Sequence, residues 1–249
     1  GEELECDFGT EQRYEATWLN SSTVKCSGVT LSTNQWSQVY HLNLRRRGSF
    51  SGRREDIFVD SPQPTEVEVY NCGVGSSDCS QCWGREDQGH LCGWCENSCK
   101  PRDDCQPIRA QCPAPEIHKI FPLRGPVEGG TLLTIEGRNL GRRAGAVKVS
   151  IGDVPCALLP DFYTVSVELV CVTGRSEYDR TDIVQVNVDQ SGMGTSKESF
   201  SYLVPKLLSM EPRKGSRAGG TRVTIMGEHL DIGSEVRVKV NNTLECTII

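Results

Sequence analysis

No stretch of these 249 residues is apolar over the roughly 18 positions that a membrane-crossing helix needs. The first residues, Gly1-Glu2-Glu3-Leu4-Glu5-Cys6, have neither the basic start nor the apolar run of a secretory signal. Neither sign of charge dominates: 27 Lys and Arg face 33 Asp and Glu, for a net charge of −6, so no electrostatic footprint of a nucleic-acid binder is present. The four histidines, His41, His90, His118 and His229, sit in unrelated contexts, and no HExxH, GxSxG or P-loop pattern occurs. A hydrolase would therefore need its nucleophile and base brought together by folding alone. No segment sustains a helical period either.

Cysteine is what the chain has in excess. Of thirteen, eight lie at 72, 79, 82, 92, 95, 99, 105 and 112, in a block with little large apolar material beyond Trp83 and Trp94. A unit of that size has too much surface for its core, so it needs disulfides or a metal. Cys79-x-x-Cys82 and Cys92-x-x-Cys95 resemble the paired knuckles of a four-thiolate zinc site, which makes zinc the rival reading. Zinc would leave the cysteines at 72, 99, 105 and 112 over, with no histidine but His90 nearby. An even set of eight suits a secreted disulfide framework, which is the reading preferred here, with no metal or cofactor expected.

Other features point to the same oxidising compartment. Asn20-Ser21-Ser22 and Asn241-Asn242-Thr243 fit the N-glycosylation pattern in loop-like stretches. Cys6 with Cys26, and Cys156 with Cys171, each enclose a short alternating segment in which two strands could bring the thiols together. An extracellular chain that lacks a signal sequence is expected to be an excerpt of something longer, and its length suits two or three domains.

A repeat organises the second half. At an offset of 90 residues Pro115 falls on Pro205, Pro122 on Pro212, Gly125 on Gly215, and Gly129-Gly130-Thr131 on Gly219-Gly220-Thr221. Thr134-Ile135-x-Gly137 then meets Thr224-Ile225-x-Gly227, Leu140 meets Leu230, and Cys156 meets Cys246 without a gap. A fixed period marks an array of one structural unit. Within that unit Leu132 to Ile135, Val147 to Ile151, Val165 to Val172, Ile183 to Val188 and Ser199 to Leu203 alternate with a period of two and are separated by turn residues. Such a unit has the size and patterning of an immunoglobulin-like sandwich. Gly125-Pro126-x-x-Gly129-Gly130-Thr131 is the expected turn into its second strand. The second copy stops opposite Leu159, and the partner of Cys246 is expected near position 261, past the last residue.

The first 70 residues read as the other end of such a unit. Tyr14 to Val24 lies between Cys6 and Cys26, and strand-like runs follow at Val39 to Leu44, Ile57 to Val59 and Val67 to Tyr70. The basic stretch from Arg45-Arg46-Arg47 to Arg53-Arg54 is read as a solvated hairpin loop between strands ending near Leu44 and starting near Ile57, in preference to a polyanion contact or a proteolytic nick site. Glu55-Asp56 and Asp103-Asp104 read as solvated loops.

Asp78-Cys79-x-x-Cys82 and Cys92-Gly93-Trp94-Cys95, followed by Cys112-Pro113-Ala114-Pro115 and the Gly-Pro-x-x-Gly-Gly-Thr repeat, resemble the PSI and IPT (TIG) modules of the plexin receptors, most of all the B class. The Met and Ron receptors share both modules but resemble the order less. The resemblance implies an all-β chain divided at 1–70 (end of an IPT/TIG sandwich), 71–113 (PSI), 114–204 (complete IPT/TIG sandwich) and 205–249 (start of another). It also implies bridges from Cys72 to Cys92, Cys79 to Cys112, Cys82 to Cys99 and Cys95 to Cys105, among 105 connectivities that eight cysteines allow. A gap from Cys95 to Cys99 that is short for the family bears on the last two.

By the same resemblance the chain is the non-catalytic extracellular stalk of a semaphorin receptor, whose propeller, transmembrane segment and cytoplasmic GTPase-activating region lie outside it. Receptor self-association or a co-receptor is possible along the stalk, and nucleic acid is not expected, although Rel-type factors use the IPT fold, because disulfides exclude their reducing compartments. Trp94, between two bridged cysteines, is expected to cover sulfurs or pack on the next sandwich. Pro113, Pro115 and Pro205 would stiffen the connections.

Overall fold

The computed structural model describes residues 3–248 apart from 51, 52, 60, 62, 64, 242 and 243. In the first part, β1 (Glu3–Asp7), β2 (Arg13–Asn20), β3 (Thr23–Cys26), β4 (Ser37–His41), β5 (Asn43–Phe50), β6 (Arg53–Phe58) and β7 (Glu66–Tyr70) follow one another. One sheet has the order β3-β2-β1-β5-β6, and β4 pairs with β7 in a second. The expected run from Val39 to Leu44 is broken at Leu42, whose amide donates to the Thr65 carbonyl. Before that residue the chain pairs with β7, and after it with β1 and β6. Leu4, Cys6 and Phe8 alternate inward with Tyr14 and Ala16 and are buried together.

The basic stretch departs from its loop reading. The β5–β6 ladder runs from Arg45 opposite Phe58 out to Phe50 opposite Arg53. Backbone pairing once started needs no apolar side chains to continue, and no proline lies between Arg45 and Phe58 to interrupt it. Ser51 and Gly52, at the centre of the stretch, lie outside the described residues.

The cysteine-rich part holds α1 (Cys79–Glu86) and the antiparallel hairpin of β8 (Cys92–Cys95) and β9 (Ser98–Pro101). Its turn residues Glu96 and Asn97 are both left-handed, at φ 49° and 64°. No helical period marks this helix in the sequence. Eight residues are too few to display a period, and the side chains that turn inward are Cys79, Ser80 and Cys82 rather than aliphatic ones.

The complete sandwich comprises β10 (Glu116–Phe121), β11 (Arg124–Pro126), β12 (Leu132–Arg138), β13 (Val147–Ile151), β14 (Val154–Leu158), β15 (Glu168–Thr173), β16 (Arg180–Val188) and β17 (Gly192–Leu203). Hydrogen bonds link all eight in the order β10-β12-β15-β14-β13-β16-β17-β11. The sheet folds over so that β10 packs beside β17. Leu133, Ile135, Ile151, Leu169, Val184, Val186, Phe200 and Tyr202 are fully buried between its halves. The strand expected from Val165 begins only at Glu168, because Ser166 is left-handed at φ 69° and turns the chain.

After it come β18 (Lys206–Glu211), β19 (Thr224–Glu228), β20 (Val238–Val240) and β21 (Leu244–Cys246), paired as β18–β19 and β20–β21. The 90-residue offset persists in three dimensions. The β10–β12 ladder shifts register between Ile117 and Lys119, and the β18–β19 ladder between Leu207 and Ser209. Both Phe121-Pro122 and Glu211-Pro212 are cis, and Asn139 and His229 are both left-handed. Burial differs, however: Ile117, Ile120 and Leu133 are at most 5% exposed, whereas Leu207, Met210 and Val223 are 67%, 46% and 44% exposed.

Candidate functional site

The eight clustered cysteines join as Cys72–Cys92, Cys79–Cys112, Cys82–Cys99 and Cys95–Cys105, with Cα separations of 5.5 to 5.7 Å. Cys6–Cys26 and Cys156–Cys171 bridge at 6.0 and 5.4 Å, and Cys246 is free and exposed on β21. These distances are ordinary for disulfides. With every clustered sulfur in an S–S bond, none is a thiolate for zinc. Trp94 is 5% exposed and stands among Cys72, Cys79, Cys82, Cys92, Cys99 and Cys112, so the sulfurs and one indole make the core of this module.

One face of that small core is fastened to the sandwich that follows. Asp78, 1% exposed, caps α1 by accepting from the Gln81 amide at 2.9 Å through Oδ1. Its other oxygen, Oδ2, accepts from the Asn139 amide at 3.1 Å and from the Ser166 hydroxyl at 2.6 Å, both on the sandwich. A buried carboxylate is costly unless each lone pair is answered, and here three donors answer it. Around this centre Arg138 donates to the Ser77 carbonyl at 2.8 Å, and Arg142 and Arg143 reach Asp87 at 3.5 and 3.6 Å. On the inner side of the same loop, Tyr163 donates to the Gly141 carbonyl at 2.5 Å. Burial pushes its phenol up to about 12, which keeps it a neutral donor.

The module also meets the first sheets, through aromatic contacts. The Arg85 guanidinium of α1 lies 3.4 Å from the centroid of the Trp36 ring. Burial lowers the pKa of that guanidinium. His90 stands edge-on to Trp36 at 4.9 Å and to Tyr70 at 4.7 Å. Tyr70 accepts from the Leu91 amide at 3.0 Å, and Asn71 donates to the Thr33 carbonyl at 3.2 Å. The connection to the sandwich is held as well: a Cβ on Gly194 of β17 would sit 2.1 Å from the Pro115 carbonyl.

Asn20 ends β2, exposed, and accepts from both the amide and the hydroxyl of Ser22 at 2.9 Å. Asn241 is exposed and left-handed, while Asn242 and Thr243 lie outside the described residues. Asp103 and Asp104 are exposed; the side chains of Glu55 and Asp56 lie outside the described ones. Among the described residues no group of His, Cys, Asp and Glu is placed to hold a metal, and no helix is long and apolar enough to cross a membrane. Reading the sequence missed Trp36, Arg85, Asn139 and Ser166, which carry no local signal. Asp78 had one: Asp78-x-x-Gln81 has the spacing of a capping box, and Gln81 Oε1 accepts from the Ser77 amide at 2.7 Å.

A family model described as the IPT/TIG domain matches residues 115–202. Plexin-B1 of Homo sapiens is 41% identical over 207 residues, covering 79% of this chain and 10% of that protein. Plexin-A4 of Danio rerio is 34% identical over 260 residues, covering 96% of this chain and 13% of that one. The chain is a plexin homologue. Among solved structures, the full extracellular region of plexin A4 superposes with a TM-score of 0.68 at 29% identity, over 95% of this chain and 25% of that one. The plexin-like stretch spans about a tenth of the curated relatives it matches, and it aligns with their extracellular part: mostly β, disulfide-bonded, with an immunoglobulin-like IPT/TIG unit.

Proposed function

We propose that this chain is a stalk segment of a cell-surface semaphorin receptor of the plexin kind, acting as a non-catalytic, semi-rigid spacer. It divides into the end of an IPT/TIG sandwich at 1–70, a PSI module at 71–113, a complete IPT/TIG sandwich at 114–204 and the start of another at 205–249. The six disulfides hold these units in an oxidising compartment, and Asn20 and Asn241 carry N-glycans. Semaphorin binds a domain elsewhere in the receptor, and the anchor to the membrane also lies elsewhere. The carrying observation is the clamping of the cysteine-rich module at two places, to the sandwich after it by buried Asp78 and to the sheets before it by Trp36 stacked on Arg85. A module held in this way transmits orientation.

The test is replacement of residues 71–113 in the full-length receptor by a flexible Gly/Ser linker of equal span. Semaphorin binding at the cell surface is expected to survive while signalling falls. Signalling at the original level would sink the spacer reading.

A further inference from the structure

Arg138, Asn139, Arg142 and Arg143, which fasten the complete sandwich to the cysteine-rich module before it, belong to one stretch that begins at the end of β12, residues 138–144. The offset of 90 carries that stretch onto 228–234, which fastens its own unit to the complete sandwich before it. There the Gly233 amide donates to the Arg124 carbonyl at 3.1 Å, the Leu132 amide donates to the Ser234 hydroxyl at 3.1 Å, and Asp231 pairs with Arg124 at 3.1 Å. Ile232 is only 7% exposed.

The two stretches share a frame and differ in what they present. Gly137 and Gly227 let the neighbouring strand pass: a Cβ there would meet the Glu116 or the Lys206 carbonyl at 2.1 or 2.2 Å. Asn139 and His229 make the same left-handed turn, at φ 54° and 55°. Leu140 and Leu230 point back against those glycines, and they are the only residue in common between 139–144 and 229–234. The remaining positions follow the surface that each faces. Three arginines meet the carbonyl of Ser77 and the carboxylate of Asp87, whereas an aspartate meets Arg124, and a glycine fits close to Pro126 and Thr131.

We propose that the stretch following β12 in the complete sandwich, and β19 in the unit after it, is a docking latch for the module on its N-terminal side. A common frame holds its shape, and its variable side chains are matched to that neighbour: cationic for an acidic cysteine-rich module, acidic and compact for another sandwich. This rests on the stiff-spacer reading and names the element that sets the angle at each joint.

The latch is tested by distance measurement between spin labels on the whole 249-residue chain. One pair spans the first joint, Gln88→Cys with Lys197→Cys in a Cys246→Ser background; the other spans the second, Lys197→Cys with native Cys246. The variant Arg138→Ala/Arg142→Ala/Arg143→Ala is expected to lose the narrow distance peak of the first pair and leave the second intact. Asp231→Ala/Ser234→Ala is expected to do the reverse. Narrow peaks that survive both variants, or both peaks lost together in either, overturn the latch and leave the spacer reading standing. Broad distributions already present without the joint substitutions overturn the spacer reading and the latch with it.

Discussion

Three donors converge on Asp78, and two of them come from a different domain-sized unit. The carboxylate therefore has two roles that cannot be separated by distance: it starts α1 and it closes a joint. In Asp78→Ala the cap is lost, at about 1 kcal/mol, and the Asn139 amide and the Ser166 hydroxyl are left without an acceptor, at about 1–3 kcal/mol for a buried donor. Local stability around α1 should fall by roughly 3–7 kcal/mol, seen as hydrogen exchange at least about 100-fold faster at 79–86 together with faster exchange near Asn139. Exchange that quickens in the helix and not near Asn139 would show that the contact across the joint contributes nothing. Ser166→Ala removes only one donor and should have the smaller effect at both places.

At the scale of strands and turns, the glycines of the repeat differ in why they are glycine. A Cβ at Gly137 would lie 2.1 Å from a backbone carbonyl, while one at Gly130 would meet nothing within 4 Å, although its φ is +82°. Gly137→Ala must displace β10 and should cost about 3 kcal/mol, near the upper end for overpacking; Gly130→Ala carries only left-handed strain, about 1 kcal/mol. Denaturation of the sandwich followed by hydrogen exchange across β10 and β12 would rank the two, and the opposite ranking would contradict the close approach. The same glycines made the architecture legible. The Gly-Gly-Thr and Ile-x-Gly recurrences announce two copies of one β unit, and period-two alternation locates most strands. What stayed hidden has a common cause: it depends on partners distant in sequence. Leu42 looks like the middle of a strand until β7 and β1 compete for its two sides. The arginines of β5 look like a loop until β6 pairs with them. The helix of eight residues faces inward with cysteines, which no apolar period records. Nothing near Trp36 foretells Arg85.

As a whole, the molecule is a series of small cores joined by contacts more specific than the linkers themselves. The cores are unequal. Leu207, Met210 and Val223 stand open where Ile117, Ile120 and Leu133 are covered. Tension along the axis would meet the cysteine-rich module differently from either sandwich. The Cys79–Cys112 bridge short-circuits a sequence separation of 33. A pull applied through Cys72 and Cys112 can straighten only the short run from Cys72 to Cys79, about 25 Å at full extension, and never the intervening helix or hairpin. In single-molecule stretching the module should be nearly inextensible without reductant and should release a further length of roughly 110 Å once all four of its bridges are reduced. A release of that size in oxidising buffer would contradict the Cys79–Cys112 pairing. The bridge thus makes the joint a covalent tether: force bypasses the fold it is meant to protect.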